Sequence, residues 1–79
     1  MTAYAHLIHP DYRHTYALFN HTTGEISTSS CDEARYPFRL LYKRLDGLLR
    51  EWSGDLPLRA ELVHLNSGRV IIEINEKGK

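Results

Sequence analysis

The five histidines are the residues of this chain whose chemistry is easiest to imagine: His6, His9, His14, His21 and His64. Imidazole nitrogens bind zinc when several ligands converge, as in a His-x-x-x-His pair on a helix or next to a Cys-x-x-Cys pair. Neither spacing occurs here. We therefore expect ordinary surface or half-buried histidines, with no metal site and no cofactor.

Candidate nucleophiles are equally scattered. They are Ser27, Ser29, Ser30, Ser53, Ser67 and the lone Cys31. None lies in a nucleophile elbow, and the five glycines stand singly, so no loop is built to cradle a phosphate. Acidic residues form no catalytic pair: Asp32 and Glu33 precede a helix, and Glu73 and Glu76 lie near the end of a strand. The sequence therefore predicts no catalytic residue and no enzyme activity.

One amphipathic helix is the clearest element that could position side chains. From Tyr36 to Trp52, the apolar residues fall within an arc of about 120°, the width of a stripe that faces a core; they are Phe38, Leu41, Tyr42, Leu45, Leu48, Leu49 and Trp52. Pro37 suits the first helical turn, and Gly54 suits the left-handed residue after the last. We predict a helix over about residues 37–53.

The rest of the chain has the character of strands separated by turns. Predicted strands cover Ala3–Ile8, Arg13–Asn20, a weaker edge strand Glu25–Ser30, Leu58–Leu65 and Arg69–Asn75. Pro10, Gly24 and Gly68 mark the turns. The expected fold is a single α+β domain over residues 1–79, with one helix packed on one face of an antiparallel sheet and residues 76–79 frayed.

The order of three strands, a helix and a further strand also resembles the start of ribonuclease H-like domains. In that arrangement Asn66–Ile74 would begin a helix instead of a strand. Nuclease chemistry of that family needs carboxylates that converge on two metal ions. The first strand and the apolar stripe of the helix supply none, so the resemblance implies no such activity here.

Charge and hydropathy limit the classes of partner. Ten Lys and Arg balance ten Asp and Glu, and the pI is about 7.0. Dedicated nucleic-acid modules usually carry a basic excess. No apolar run approaches the ~18 residues of a membrane span, and the first residues lack the features of a signal peptide. Because a lone cysteine also suits a reducing compartment, we expect a cytoplasmic protein that binds no membrane.

The outer surface of the helix carries a basic ridge, defined here as Arg39, Leu40, Lys43 and Arg50. Its three cations lie within about 40° of one another around the helix axis, and Leu40 points about 140° away from the centre of the apolar stripe. One interpretation is a solvated surface on which Asp46 pairs with Lys43 and Arg50. The other is a contact surface for an acidic protein or a phosphate backbone.

The sheet gives a second reason to expect a partner. Both alternation sets of the predicted strands are apolar, whereas one helix covers one face, and exposed apolar surface marks interaction sites. Near the first hairpin, Tyr4, His6, Arg13 and Tyr16 join the ridge as predicted partner-binding residues. Alternatively, a loop or the segment 31–35 folds over the second face.

These observations predict a small non-enzymatic protein–protein interaction module. In size, charge balance and lack of targeting or catalytic signals it resembles inhibitors from phages and mobile elements, anti-CRISPR proteins among them. The resemblance implies a protein that occludes a functional site on a host protein or ribonucleoprotein complex. The apolar surplus also allows a homodimer. The alternative is a nucleic-acid-binding module that uses the basic ridge.

Overall fold

The computed structural model describes residues 4–53 and 56–76. A short 3₁₀ helix, Ala5–Leu7, precedes four strands and one α-helix. In chain order these are β1 (His14–Asn20), β2 (Glu25–Cys31), α1 (Arg35–Glu51), β3 (Leu58–His64) and β4 (Arg69–Glu76).

The four strands form one antiparallel sheet in the order β2-β1-β3-β4. The register places Leu18 of β1 opposite Ser27 of β2 and Leu62 of β3. Gly24 and Gly68 close the two hairpins with φ of 85° and 73°, a backbone region that L side chains rarely adopt. The predicted α+β class, with one helix on an antiparallel sheet, is therefore confirmed.

Four of the five predicted strands form. The last of them distinguishes the predicted antiparallel sheet from the ribonuclease H-like order, in which the same residues would begin a helix. Residues 66–68 are a turn and the residues after them are β4, so the helix required by a ribonuclease H-like order is absent from this stretch. The weak strand before α1 also forms and lies at the edge of the sheet, as predicted.

The prediction of a first strand over Ala3–Ile8 is wrong. Residues 5–7 form the 3₁₀ helix instead, while Ala3 lies outside the described residues. The expected hairpin partner, β1, pairs on one side with β2 and on the other with β3, so no position beside it is free. The apolar side chains of Leu7 and Ile8 pack on the sheet rather than within it.

The helix begins and ends about two residues earlier than predicted. Pro37 is buried in its first turn, where the backbone N–H groups have no intrahelical acceptor. Leu41 and Leu45 are buried against Tyr16, Leu18 and Leu62 of the sheet. Trp52 follows the last helical residue in an extended conformation, and its indole Nε1 donates to the carbonyl of Leu56 at 2.9 Å. The predicted terminator Gly54 lies outside the described residues.

A β-bulge interrupts the pairing of β3 with β4. Leu62 pairs with Ile72 and the next residue, Val63, pairs with Val70, so Ile71 is the extra residue. Paired residues share a face of the sheet. Val70 therefore lies on the face opposite to Ile72, although strict alternation would place both on one face.

Candidate functional site

The second face of the sheet, which the sequence left without a definite cover, is partly covered by the N-terminal segment. Leu7 and Ile8 pack against four buried residues of this face: Ala17, Phe19, Val63 and Leu65. The ring of Tyr4 lies against that of Phe19, with 4.5 Å between the centroids. The alternative of a folded-over segment is thus the one observed, although residues 4–8 supply it instead of residues 31–35.

The predicted contact residues near the first hairpin are not brought together. Tyr16 is only 8% exposed and packs beneath α1, with its ring 5.9 Å from that of Phe38. The expectation that it lies on an open sheet face is therefore wrong, because its alternation set faces the helix. His6 is exposed on the 3₁₀ helix, and Arg13 is exposed where its backbone N–H donates to Asp32 Oδ1 at 3.0 Å.

A hydrogen-bonded chain of three polar side chains lies at one end of the sheet. His14 Nδ1 is 2.9 Å from His64 Nε2, and His64 Nδ1 is 2.7 Å from Ser67 Oγ. The ring of His64 also lies 4.8 Å from that of Tyr16, centroid to centroid. One of the two facing imidazole nitrogens must carry the hydrogen that joins them, so one ring donates to the other.

Burial and the neighbouring His14 both lower the pKa of His64 from its ordinary value, with burial the larger cause. Both effects disfavour the imidazolium form. His64 is therefore harder to protonate than an ordinary histidine. Within residues 4–53 and 56–76, no group of three or more metal-binding side chains converges.

The basic ridge is where the helical pattern placed it. Arg39, Lys43 and Arg50 are exposed, and Leu40 keeps 52% of its surface accessible. Arg50 Nε donates to Asp46 Oδ2 at 3.0 Å, so the i,i+4 pairing expected of a solvated helix does form.

Tyr36 extends this surface by one turn of the helix, and sequence reasoning missed it. It is 54% exposed, and the guanidinium of Arg35 lies 5.4 Å from its ring centroid. At 100° per residue, Tyr36 and Leu40 are neighbours on the outer surface, with Arg39 and Lys43 beside them. We call Tyr36, Arg39, Leu40 and Lys43 the outer patch. The missed signal was the i,i+4 spacing of Tyr36 and Leu40.

An apolar groove runs between α1 and β4. Its walls are Tyr42, Leu45, Asp46 and Leu49 of the helix and Ile72 and Ile74 of the strand, and it encloses about 260 Å³. The helix packs over β2, β1 and β3, so two residues at the margin of its stripe remain open: Tyr42 is 48% and Leu49 36% exposed. The sequence predicted the wide apolar stripe of the helix. It did not predict that the sheet extends beyond the helix as far as β4.

Among the described residues, no helix is long and apolar enough to cross a bilayer. No protein-family model matches the chain, and neither a curated protein nor a solved structure is significantly similar to it.

Proposed function

We propose that this protein is a small, non-enzymatic interaction module that binds another macromolecule through the outer patch of α1. The observation that carries the proposal is the exposure of Leu40 and Tyr36, which lie one turn apart on a helix and each keep more than half of their residue surface accessible. Together they form an apolar contact point on the outer surface of α1, with the Arg35 guanidinium 5.4 Å from the centroid of the Tyr36 ring.

The residue types of the outer patch favour a protein partner. Tyr and Arg are enriched among the residues that contribute most to binding, and an apolar centre with a polar rim is the usual anatomy of such contacts. Here Tyr36 and Leu40 supply the centre, and Arg39 and Lys43 supply a basic rim. A complementary surface would offer an apolar pocket bordered by carboxylates.

We further propose that binding occludes a functional site on a host protein or ribonucleoprotein complex in the cytoplasm, as inhibitors from phages and mobile elements do. Support comes from the balanced charge and small size of the chain. A protein that acts by covering a surface needs only a rigid patch, and a helix packed on a sheet provides one. The lone Cys31 suits a reducing compartment.

The test is affinity purification of the tagged protein from its native cells, with nuclease treatment of the eluate and identification of the bound proteins. We expect a stoichiometric protein partner that survives nuclease and moderate salt. The double variant Arg39→Glu/Lys43→Glu should reduce its recovery at least about ten-fold, and Leu40→Ala at least about five-fold.

The matched control is Arg59→Glu/Arg69→Glu, which changes the net charge equally at two exposed strand residues. It should leave recovery unchanged. Equal recovery with the α1 double variant would remove the outer patch as the contact surface. Recovery of nucleic acid in place of a protein, with binding that weakens steeply as salt increases, would favour a phosphate-binding role for the basic ridge.

A further inference from the structure

The two facing histidines lie on neighbouring strands that the sheet holds in a fixed register. His64 of β3 pairs with Tyr16 of β1, and His14 is two residues before Tyr16 on the same strand. Residues two apart on a strand share a face, as do paired residues, so both imidazoles lie on one face of the sheet. Their facing atoms, His14 Nδ1 and His64 Nε2, are 2.9 Å apart. Two nitrogen ligands are therefore held close together by the backbone of the sheet itself.

The contacts of Ser67 indicate which nitrogen of His64 carries its hydrogen. The hydroxyl of Ser67 donates to the carbonyl of His64 at 3.4 Å, so its oxygen is free to accept from His64 Nδ1 at 2.7 Å. We assign His64 to the Nδ1–H tautomer on this ground, which leaves a lone pair on Nε2 that faces His14. In the hydrogen-bonded pair His14 Nδ1 then donates. If His14 takes its other neutral tautomer, with the hydrogen on Nε2, both facing nitrogens present lone pairs.

We propose that His14 Nδ1 and His64 Nε2 together chelate one divalent transition-metal ion, with Cu(II) or Ni(II) preferred to zinc. Two nitrogens that each lie about 2.05 Å from an ion are about 2.9 Å apart if the angle at the ion is about 90°, and about 3.3 Å apart if it is tetrahedral. The separation in this structure matches the first case. Angles of about 90° occur in the square-planar and tetragonal sites of Cu(II) and Ni(II).

The separation of 2.9 Å is also that of an ordinary hydrogen bond, which explains how the same pair is stable without an ion. Binding replaces the shared hydrogen by the metal. Each ring has to tilt so that its lone pair points at the ion, while β1 and β3 keep their positions. Within residues 4–53 and 56–76 no group of three metal-binding side chains converges, so water completes the coordination.

Ser67 supplies the outer hydrogen bond that a metal-binding histidine usually makes. The ring nitrogen that does not bind the metal normally donates to an oxygen, which fixes the tautomer and the orientation of the ring. Ser67 Oγ has this position at His64 Nδ1, and it also accepts from the backbone N–H of Arg69 at 3.3 Å. Loss of such an outer partner typically weakens metal binding about 10- to 100-fold. Ser67 is therefore a positioning residue of the proposed site.

The sequence patterns for zinc could not reveal this pair, because its members are 50 positions apart. It requires the register of β1 with β3, which no spacing along the chain shows. The inference is independent of the proposed function, since none of the four residues of the outer patch belongs to the chelate. The double variant Arg39→Glu/Lys43→Glu should therefore leave metal binding unchanged.

The first test is calorimetric titration of the native full chain with NiCl₂ at pH 7.5, in a buffer that does not bind metals. We expect one ion per chain with a dissociation constant below about 100 µM. The double variant His14→Gln/His64→Gln should raise this constant at least about ten-fold. The matched control His6→Gln/His9→Gln removes as many imidazoles at exposed positions and should change it less than about two-fold.

A second pair of variants tests the positioning residue. Ser67→Ala should raise the dissociation constant of Ni(II) about ten-fold, since the ring of His64 loses its outer hydrogen bond. Ser53→Ala, which changes another exposed serine, should leave it unchanged. Equal constants for the two serine variants would show that Ser67 does not position the ligand.

A spectroscopic measurement keeps the proposal testable even if a histidine variant fails to fold. It uses Cu(II) with the variant Cys31→Ala, because Cys31 lies opposite His14 in β2 and its thiol could otherwise react with the ion. Electron spin echo modulation should show two coupled imidazole rings. Coupling to fewer than two rings, Ni(II) binding that is lost in Cys31→Ala, or a dissociation constant above about 1 mM for the native chain would overturn the proposal.

Discussion

Thr15 is the residue at which three separate segments of the chain meet. It is fully buried, its backbone N–H donates to Asn66 Oδ1 at 2.7 Å, and its carbonyl accepts from Leu65 N at 2.9 Å. Its hydroxyl accepts from His9 N at 3.0 Å and lies 2.8 Å from Ser30 Oγ. These bonds explain why the residues after the 3₁₀ helix are held to β1. The sequence did not predict this role, because a threonine in a strand has no feature that indicates it.

Protonation of His64 makes the stability of the fold depend on pH. Because the pKa of His64 is lowered on folding, the unfolded chain binds more protons near pH 6.5, and linkage then requires the free energy of unfolding to decrease as pH falls. Stability should be fully present above about pH 7 and decline through 6.5 towards the lowered pKa. Urea titrations between pH 7.5 and 5.5 measure this slope.

The variant His64→Gln should flatten that slope, since it removes the group that must stay neutral in the folded state. His14, Tyr16 and Ser67 face the same ring, so the substitution leaves its neighbours in place. The matched control His6→Gln changes an exposed imidazole on the 3₁₀ helix and should retain the slope. Equal slopes for the two variants would show that His64 is not the titrating group.

At the scale of elements, the sequence pattern predicted the helix and strands whose formation depends mainly on residues within each element. The helix and the four strands that form carry their periodicity and turn residues within themselves. Ala3–Ile8 has the same alternation as a strand, yet a strand also needs a free neighbour, and both sides of β1 are occupied. The bulge at Ile71 depends on how β3 and β4 fit together, so no property of β4 alone predicts it.

Replacement by alanine should change the free energy of unfolding in opposite directions at Gly47 and Gly68. Gly47 lies inside α1, and a Cβ there would meet no atom within 4 Å, so Gly47→Ala should raise the free energy of unfolding by roughly 0.5–1 kcal/mol. Gly68 has equal space but φ of 73°, so Gly68→Ala should lower it by about 1–2 kcal/mol. Chemical denaturation of the two variants measures both. A stabilising effect at Gly68 would contradict the left-handed turn.

At the scale of the whole molecule, the two faces of the sheet are covered by different means. The helix buries one face, and residues 4–8 cover part of the other. The sequence indicated an apolar surplus on the second face. A segment that looked like a strand covers part of it, while Ile26 and Val70 of the same face remain about half exposed. Apolar surface also remains open in the groove between α1 and β4, which neither element shows by itself.

The cover of the second face should be testable at Leu7. Leu7→Asp should lower the free energy of unfolding by about 1–2 kcal/mol, since this half-buried side chain packs on the cluster that contains Phe19 and Val63. It should also increase binding of a dye that recognises apolar surface. His6→Asp, one residue away and exposed, should change stability by less than about 0.5 kcal/mol. Equal effects would mean that residues 4–8 do not protect the sheet.

The two outer strands differ in a way that bears on how the protein behaves in a crowded cell. β2 presents Ser27, Thr28, Ser29 and Ser30, whereas β4 presents isoleucines and is kinked by its bulge. A sheet whose edges were both regular and apolar could add copies without limit and grow into fibres. Here one edge strand carries mainly Ser and Thr, with Ile26 as its one isoleucine, and the other is regular over only five residues. Both features should therefore disfavour open-ended addition of strands to the sheet.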